Sequence, residues 1–132
     1  MAENVTPVSL KIQGMDNREV MTVDYKFDRA TDVEGQLAGI PRGGRINIRV
    51  KAMNDGNCQL LAWMLAESTP KDVTVEFLNT VDGKEMKKLE GKNCYCVNYT
   101  EKWEEGQDHY EEVEIVCQSL ENGGAKFENP WK

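Results

Sequence analysis

Apolar and polar residues alternate with a period of two along most of this chain. Val8, Leu10 and Ile12 interleave with Ser9, Lys11 and Gln13, and Met21, Val23, Tyr25 and Phe27 interleave with Thr22, Asp24, Lys26 and Asp28. The cleanest stretch runs from Arg45 to Ala52, with Ile46, Ile48, Val50 and Ala52 on one face and Arg45, Asn47, Arg49 and Lys51 on the other. Val73, Val75 and Phe77 repeat the pattern, then Tyr95, Val97, Tyr99 and Trp103 on a longer polar-broken segment, then Val113, Ile115 and Cys117. Successive strand residues point to opposite faces, so this alternation predicts strands with one face buried and one wet. Parallel strands covered on both faces would read as unbroken Val/Ile/Leu instead. An antiparallel, mainly β protein is expected. Asp82-Gly83 tolerates positive φ and predicts a tight hairpin, and Met15-Asp16-Asn17 and Glu105-Gly106-Gln107-Asp108 carry turn chemistry of the same kind.

Two segments break the alternation. Leu60, Leu61, Met64 and Leu65 form a helical stripe with Trp63 at its border, Asn54 or Asp55 as the expected cap, and Pro70 forbidding continuation much beyond Ser68. Ala30 to Gly44 has little apolar periodicity and holds Gly35, Gly39, Pro41, Gly43 and Gly44. A connection of that length without structure of its own is uncommon; it is a plain surface loop or a functional arm. At the end of the chain, Phe127 and Trp131 are costly to leave in water, which predicts a docked C-terminal segment.

Composition narrows the class. The 132 residues carry a net charge of −7 with 39% hydrophobic and 30% charged residues, which reads as one domain over residues 1–132 with a single core. No apolar run approaches the roughly 20 residues of a membrane span, and the start lacks the pattern of a secretory signal, so no direct membrane insertion is expected. The acidic balance argues against a nucleic-acid partner.

Catalytic and metal chemistry are hard to assemble. Cys58, Cys94, Cys96 and Cys117 contain no C-x2-C pair, and a zinc site would find only the C-x-C of Cys94 and Cys96. On a strand those two share a face, which reads as paired burial. Any Cys-His or Ser-His arrangement must use His109, which falls at an expected hairpin edge where a solvated histidine is the simpler reading. No metal or cofactor is expected, and no enzymatic activity.

Charge distribution is more informative. Glu101 to Glu114 holds seven acids, among them Glu104, Glu105, Glu111 and Glu112, against Lys102. Pro41 to Lys51 holds Arg42, Arg45, Arg49 and Lys51 with no acid. These are either two solvated strand faces or unlike surfaces that meet head to tail between copies, a contact that closes into rings or runs on as filaments.

The order of elements resembles the tube protein of the bacterial type VI secretion system, the Hcp or TssD family, and its Bacteroidetes branch in particular. The resemblance spans about Val8 to Trp131. It rests on Val23 to Asp32 (VDYKFDRATD) with Gly35 following, Gly44 to Val50 (GRINIRV), and the helix with Trp63-Met64. Lys88 to Gly91 (KLEG), Tyr95 to Glu101 (YCVNYTE) and Asn129-Pro130-Trp131 complete it. It implies a β-barrel of two packed sheets with one helix at its side, six copies forming a ring, and rings stacking into a tube inside a contractile sheath. The tube, tipped by a VgrG-like spike, is driven into a neighbouring cell from a baseplate, and effector proteins ride in the rings. The family's long loop reaches the adjacent subunit or ring, which carries over to Asp32 through Gly44, with Asp32, Val33, Glu34, Gln36, Leu37 and Ile40 as stacking residues. Arg42, Arg45 and Arg49 are then the basic side of a subunit interface, and Glu104, Glu105, Glu111 and Glu112 the acidic side. The chain would be assembled in the bacterial cytoplasm and exported by the type VI machine. The rival readings are a monomeric barrel holding a small apolar ligand, although Tyr25, Phe27, Phe77 and Trp103 look sufficient to fill a barrel, and a Cys- and His-dependent hydrolase.

Overall fold

A computed structural model describes residues 7–53, 55–66, 69–78 and 85–130. The described chain runs β1 (Val8–Ile12), β2 (Arg18–Asp28), β3 (Arg42–Lys51), α1 (Gln59–Leu65), β4 (Lys71–Leu78), β5 (Glu85–Lys102), β6 (Tyr110–Asn122) and β7 (Ala125–Glu128). Each alternating segment is a strand, and every pairing is antiparallel. The order β3-β2-β1-β4-β5-β6-β7 is closed by a further ladder between β3 and β6, so six strands form a barrel. On one edge of β6, β3 occupies Tyr110 to Val116 and β7 takes over at Ser119 to Asn122. Register shifts at Val20/Thr22, Lys26/Asp28, Lys71/Val73 and Cys96/Asn98 interrupt the ladders. Such irregularities sharpen the local twist that a closed barrel needs.

The barrel interior is aliphatic. Leu10, Ile46, Ile48, Val50, Val75, Val113 and Ile115 are fully buried, with Cys94 and Cys117 among them. The aromatics expected to fill this space do not: Phe27 is 41% exposed and Trp103 69% exposed, while Tyr25 and Phe77 pack only partly against the core. Each strand offers inward positions at every second residue to a narrow interior, and branched aliphatic side chains fill it. The rings are left at the barrel's ends.

Cys94 and Cys117 face each other across β5 and β6. Gly91 makes room for them, since a Cβ there would lie 2.8 Å from both sulfurs. The hydrogen bond with the Cys117 thiol, then burial, pushes the Cys94 thiol far above its ordinary range, and burial raises Cys96. These are protonated core residues, with Cys94 and Cys96 on one face as the alternation predicts.

The helix differs from its expected stripe. Leu60 and Trp63 are its buried residues, and Leu65 faces solvent. Trp63 offers the larger ring to the core, and its indole N–H donates to the Thr69 carbonyl at 2.8 Å, satisfying the polar tip. Cys58 is the N-cap and makes no side-chain capping bond. Asp55 instead accepts from the Asn57 N–H, and Asn57 Oδ1 accepts from the Gln59 N–H, a relay that delivers the chain into the helix. The Asp82-Gly83 turn and Trp131 lie outside the described residues, but β4 and β5 pair antiparallel on either side of that turn. Pro7, Pro41, Pro70 and Pro130 all fall just outside strands.

Candidate functional site

Between β2 and β3 the chain leaves the barrel as an exposed arm held by its own backbone. The Asp32 carboxylate accepts from the Glu34 and Gln36 N–H groups, both at 2.9 Å, and the Asp32 N–H donates to the Gln36 carbonyl at 2.8 Å. Gly35, at φ +83°, makes the reversal that returns its own N–H to Asp32 O at 3.0 Å. Thr31 bridges to Leu37, and Ala38 donates to Ala30 O at 2.9 Å. The arm is thus a self-ordered hairpin, and it shows apolar side chains to water: Val33 is fully exposed, with Leu37 66% and Ile40 67% exposed. Asp32 orders the arm while Val33, Leu37 and Ile40 are what it presents.

The basic and acidic segments turn out to be neighbours within one subunit. Barrel closure pairs β3 with β6, which sets Arg49 opposite Glu112 and Arg45 diagonal to Glu114. Arg45 meets Glu114 at 2.7 Å and Arg49 meets Glu112 at 3.7 Å, while Arg42 reaches Asp28 at 3.6 Å. The Arg49 guanidinium also lies 4.1 Å over the Tyr110 ring. The alternation cannot show this, because the two segments are far apart in sequence and meet only when the sheet closes.

Glu111 is no surface charge. It is 3% exposed and pairs with buried Arg18, which also donates to the Lys51 carbonyl at 2.8 Å. The Tyr99 hydroxyl donates to the other Glu111 oxygen at 2.5 Å. Burial first, and then the Glu111 carboxylate, push the Tyr99 phenol well above its ordinary value. This Arg18–Glu111–Tyr99 network fastens the base of the β5–β6 hairpin, and no spacing in the sequence announces it. Beyond it, Glu104 and Glu105 are exposed at the hairpin tip beside Trp103, and Lys102 reaches Glu104 at 3.9 Å. His109 meets Glu101 at 2.7 Å in the same hairpin, while Cys94, Cys96 and Cys117 lie in the core. Among the described residues no cluster of His, Cys, Asp and Glu could hold a metal ion.

At the opposite end of the barrel, Tyr25, Phe27, Leu89, Leu120 and Phe127 line an apolar groove of about 580 Å³. The Phe27 and Phe127 rings stand 5.1 Å apart, which ties β2 to the C-terminal strand. Asn129 anchors that strand beyond its ladder: its N–H donates to Gln118 O at 2.7 Å and its side chain to Cys117 O at 2.8 Å. Gly44, at φ +87°, lies against it, since a Cβ there would meet Asn129 Nδ2 at 2.7 Å and Cys117 O at 3.0 Å. The C-terminal segment docks as expected through Glu128, and two of the resemblance motifs, around Gly44 and Asn129, are a single packing contact.

This barrel, with one helix and an apolar arm between its second and third strands, matches the family model for hemolysin coregulated protein Hcp (TssD) over residues 6–132. The chain belongs to that family. Its members are the structural tube subunits of type VI secretion systems; they form stacked rings in tubes and are secreted by that machinery. The solved structure of Hcp1 from Flavobacterium johnsoniae is 29% identical, with a TM-score of 0.86 over 93% of this chain and 99% of that one. Hcp1 from Escherichia coli EAEC 042 shares the fold at 14% identity, with a TM-score of 0.77 over 96% of this chain and 100% of that one. A sheath/tube terminator of an extracellular contractile injection system also shares it, at 14% identity and a TM-score of 0.62 over 89% of this chain and 93% of that one. No curated protein matches the chain significantly. As a family member, the chain is an inner-tube subunit of a type VI secretion system. No described helix is long and apolar enough to cross a membrane.

Proposed function

We propose that this Hcp family member closes into hexameric rings whose stacking is made by the β2–β3 arm, and that it is non-enzymatic. The observation that supports the reading is the arm itself, which is ordered internally yet presents Val33, Leu37 and Ile40 to solvent. Burying such side chains against a neighbour returns about 1.5–3 kcal/mol each, enough in repeated copies to hold rings together. The tube so built is assembled in the bacterial cytoplasm and exported by the type VI machine. It carries effector proteins in its rings and works with a VgrG-like spike, a baseplate and a contractile sheath. Light scattering with negative-stain imaging tests the assembly. Rings with the mass of six 15.0 kDa chains are expected, and a clean monomer at high concentration removes the reading.

A further inference from the structure

Inside the barrel, Cys94 on β5 and Cys117 on β6 are direct partners across the ladder, and both are fully buried as free thiols. A Cβ on Gly91 would lie 2.8 Å from each sulfur, so the two side chains converge on one point, and they share a hydrogen bond. The backbone around them sets their spacing. Cys117 O accepts from Asn129 Nδ2 at 2.8 Å and lies 3.0 Å from where a Gly44 Cβ would stand, so it faces β3 and β7, away from β5. Cys117 therefore exchanges no backbone hydrogen bonds with Cys94, and opposed Cα atoms at such positions approach to about 4.5 Å. A disulfide spans Cα separations of about 4.4–6.8 Å. Cys96 is differently placed: it stands opposite Ile115 and turns its thiol to the Asn98 carbonyl at 3.4 Å.

We propose that Cys94 and Cys117 are the two halves of a latent disulfide, closed by exchange with a low-molecular-weight disulfide of the oxidised-glutathione class. One thiol gives up its proton and attacks that disulfide, which forms a mixed disulfide and releases one small thiol. The second thiol gives up its proton and attacks the protein sulfur of the mixed disulfide, which closes the S–S bond and releases the second small thiol. Two electrons pass from the pair to the reagent, and both protons leave on the small thiols. The shared hydrogen bond and burial keep Cys94 protonated, so the exchange is slow and proceeds from openings of the β5–β6 ladder. Once closed, the bridge spans the segment that carries Tyr99 and Glu111 and restricts the unfolded chain there. On the reading that the subunit is exported, it passes from a compartment that keeps thiols reduced to one that does not. The pair is then open while the tube is built and closes outside. This timing rests on the export reading; the chemistry of the pair does not.

The test uses the full chain carrying Cys58→Ser, so that the exposed native thiol is absent. Incubated folded with excess oxidised glutathione at about pH 8.5, it is expected to lose two hydrogens, with peptide mapping joining Cys94 to Cys117. All remaining thiols still free to alkylation after denaturation, a lasting glutathione adduct, or a bridge through Cys96 would each overturn the proposal. The same chain with Cys96→Ala, in bridged and reduced forms, is then compared in urea. The bridged form is expected to unfold at a midpoint higher by about 1 M. A midpoint that is unchanged or lower overturns the proposal, because the barrel would then not favour the bridge. A chain that stays monomeric and still forms the bridge supports the pair while removing the tube reading, so the two fail separately.

Discussion

Removing the Glu111 carboxylate leaves the Arg18 guanidinium buried without its counter-charge. Both side chains are under 5% exposed, so neither gains from water what it loses from its partner. Glu111→Ala is therefore expected to cost about 3–5 kcal/mol, read as a lower urea midpoint. Arg18→Met combined with Glu111→Leu should recover most of it, because two apolar groups remove the desolvation cost together. A single variant losing under about 1 kcal/mol would show that the pair is not what fastens the hairpin. The same neighbourhood sets a pH response. Cys94, Cys96 and Tyr99 all have folded pKa values raised above their unfolded ones, so the folded chain retains protons that the unfolded chain releases. Their contribution is fully present below the unfolded values and is lost as pH climbs above them. Stability should fall first above about pH 9 through the thiols, then more steeply above about pH 10 through the phenol, by up to about 1.4 kcal/mol per pH unit and group. Urea melts at pH 8, 9.5 and 10.5 read this directly, and Cys94→Ala should flatten the first part of the slope.

Among the elements, β7 is held by a short ladder, by the Phe127 ring against Phe27, and by Asn129 just beyond its end. Asn129 reaches Cys117 O across β6 and Gly43 O at 3.4 Å on β3, so it ties three strands where β3 gives way to β7. Gly44→Ala puts a methyl into that contact at a positive φ and is expected to cost about 1–3 kcal/mol. Its signature should be local, with protease cutting near Phe127 accelerated before the global melt moves far. The β3–β6 ladder makes a different prediction. Arg45 and Glu114 are an exposed pair within one subunit, with the Arg45 side chain 60% exposed. Charge reversal at either should cost under about 1 kcal/mol of monomer stability, and the double reversal should restore it without any need for assembly. Rescue seen only in assembled rings would mean that the partner belongs to another copy.

For the whole molecule, the decisive surfaces are those the barrel does not need. Replacing Val33, Leu37 and Ile40 together with serine should leave the melting temperature of the single subunit nearly unchanged, since all three are exposed. The same change should abolish multi-ring stacks in negative-stain images; undiminished stacking would assign the arm another role. A net charge of −7 on every copy opposes assembly at low ionic strength unless unlike patches are brought together.

Much of this was legible beforehand, and for a definite reason. Strand periodicity is local: Ile46, Ile48 and Val50 reveal their buried face without any partner being known, and each alternating segment is a strand. The arm was legible because glycines and a proline replace that periodicity, and the family because its motifs keep their order. What the chain could not show in one dimension is which strands lie side by side. Only barrel closure made Arg45 and Glu114 neighbours, buried Glu111 while leaving Glu112 half-buried, and set Gly44 against Asn129. Burial of an ion pair, the exposure of Phe27 and Trp103, and the distance between groove and tip are properties of register and curvature. Those arise from contacts between residues dozens of positions apart, so tertiary structure alone decided them.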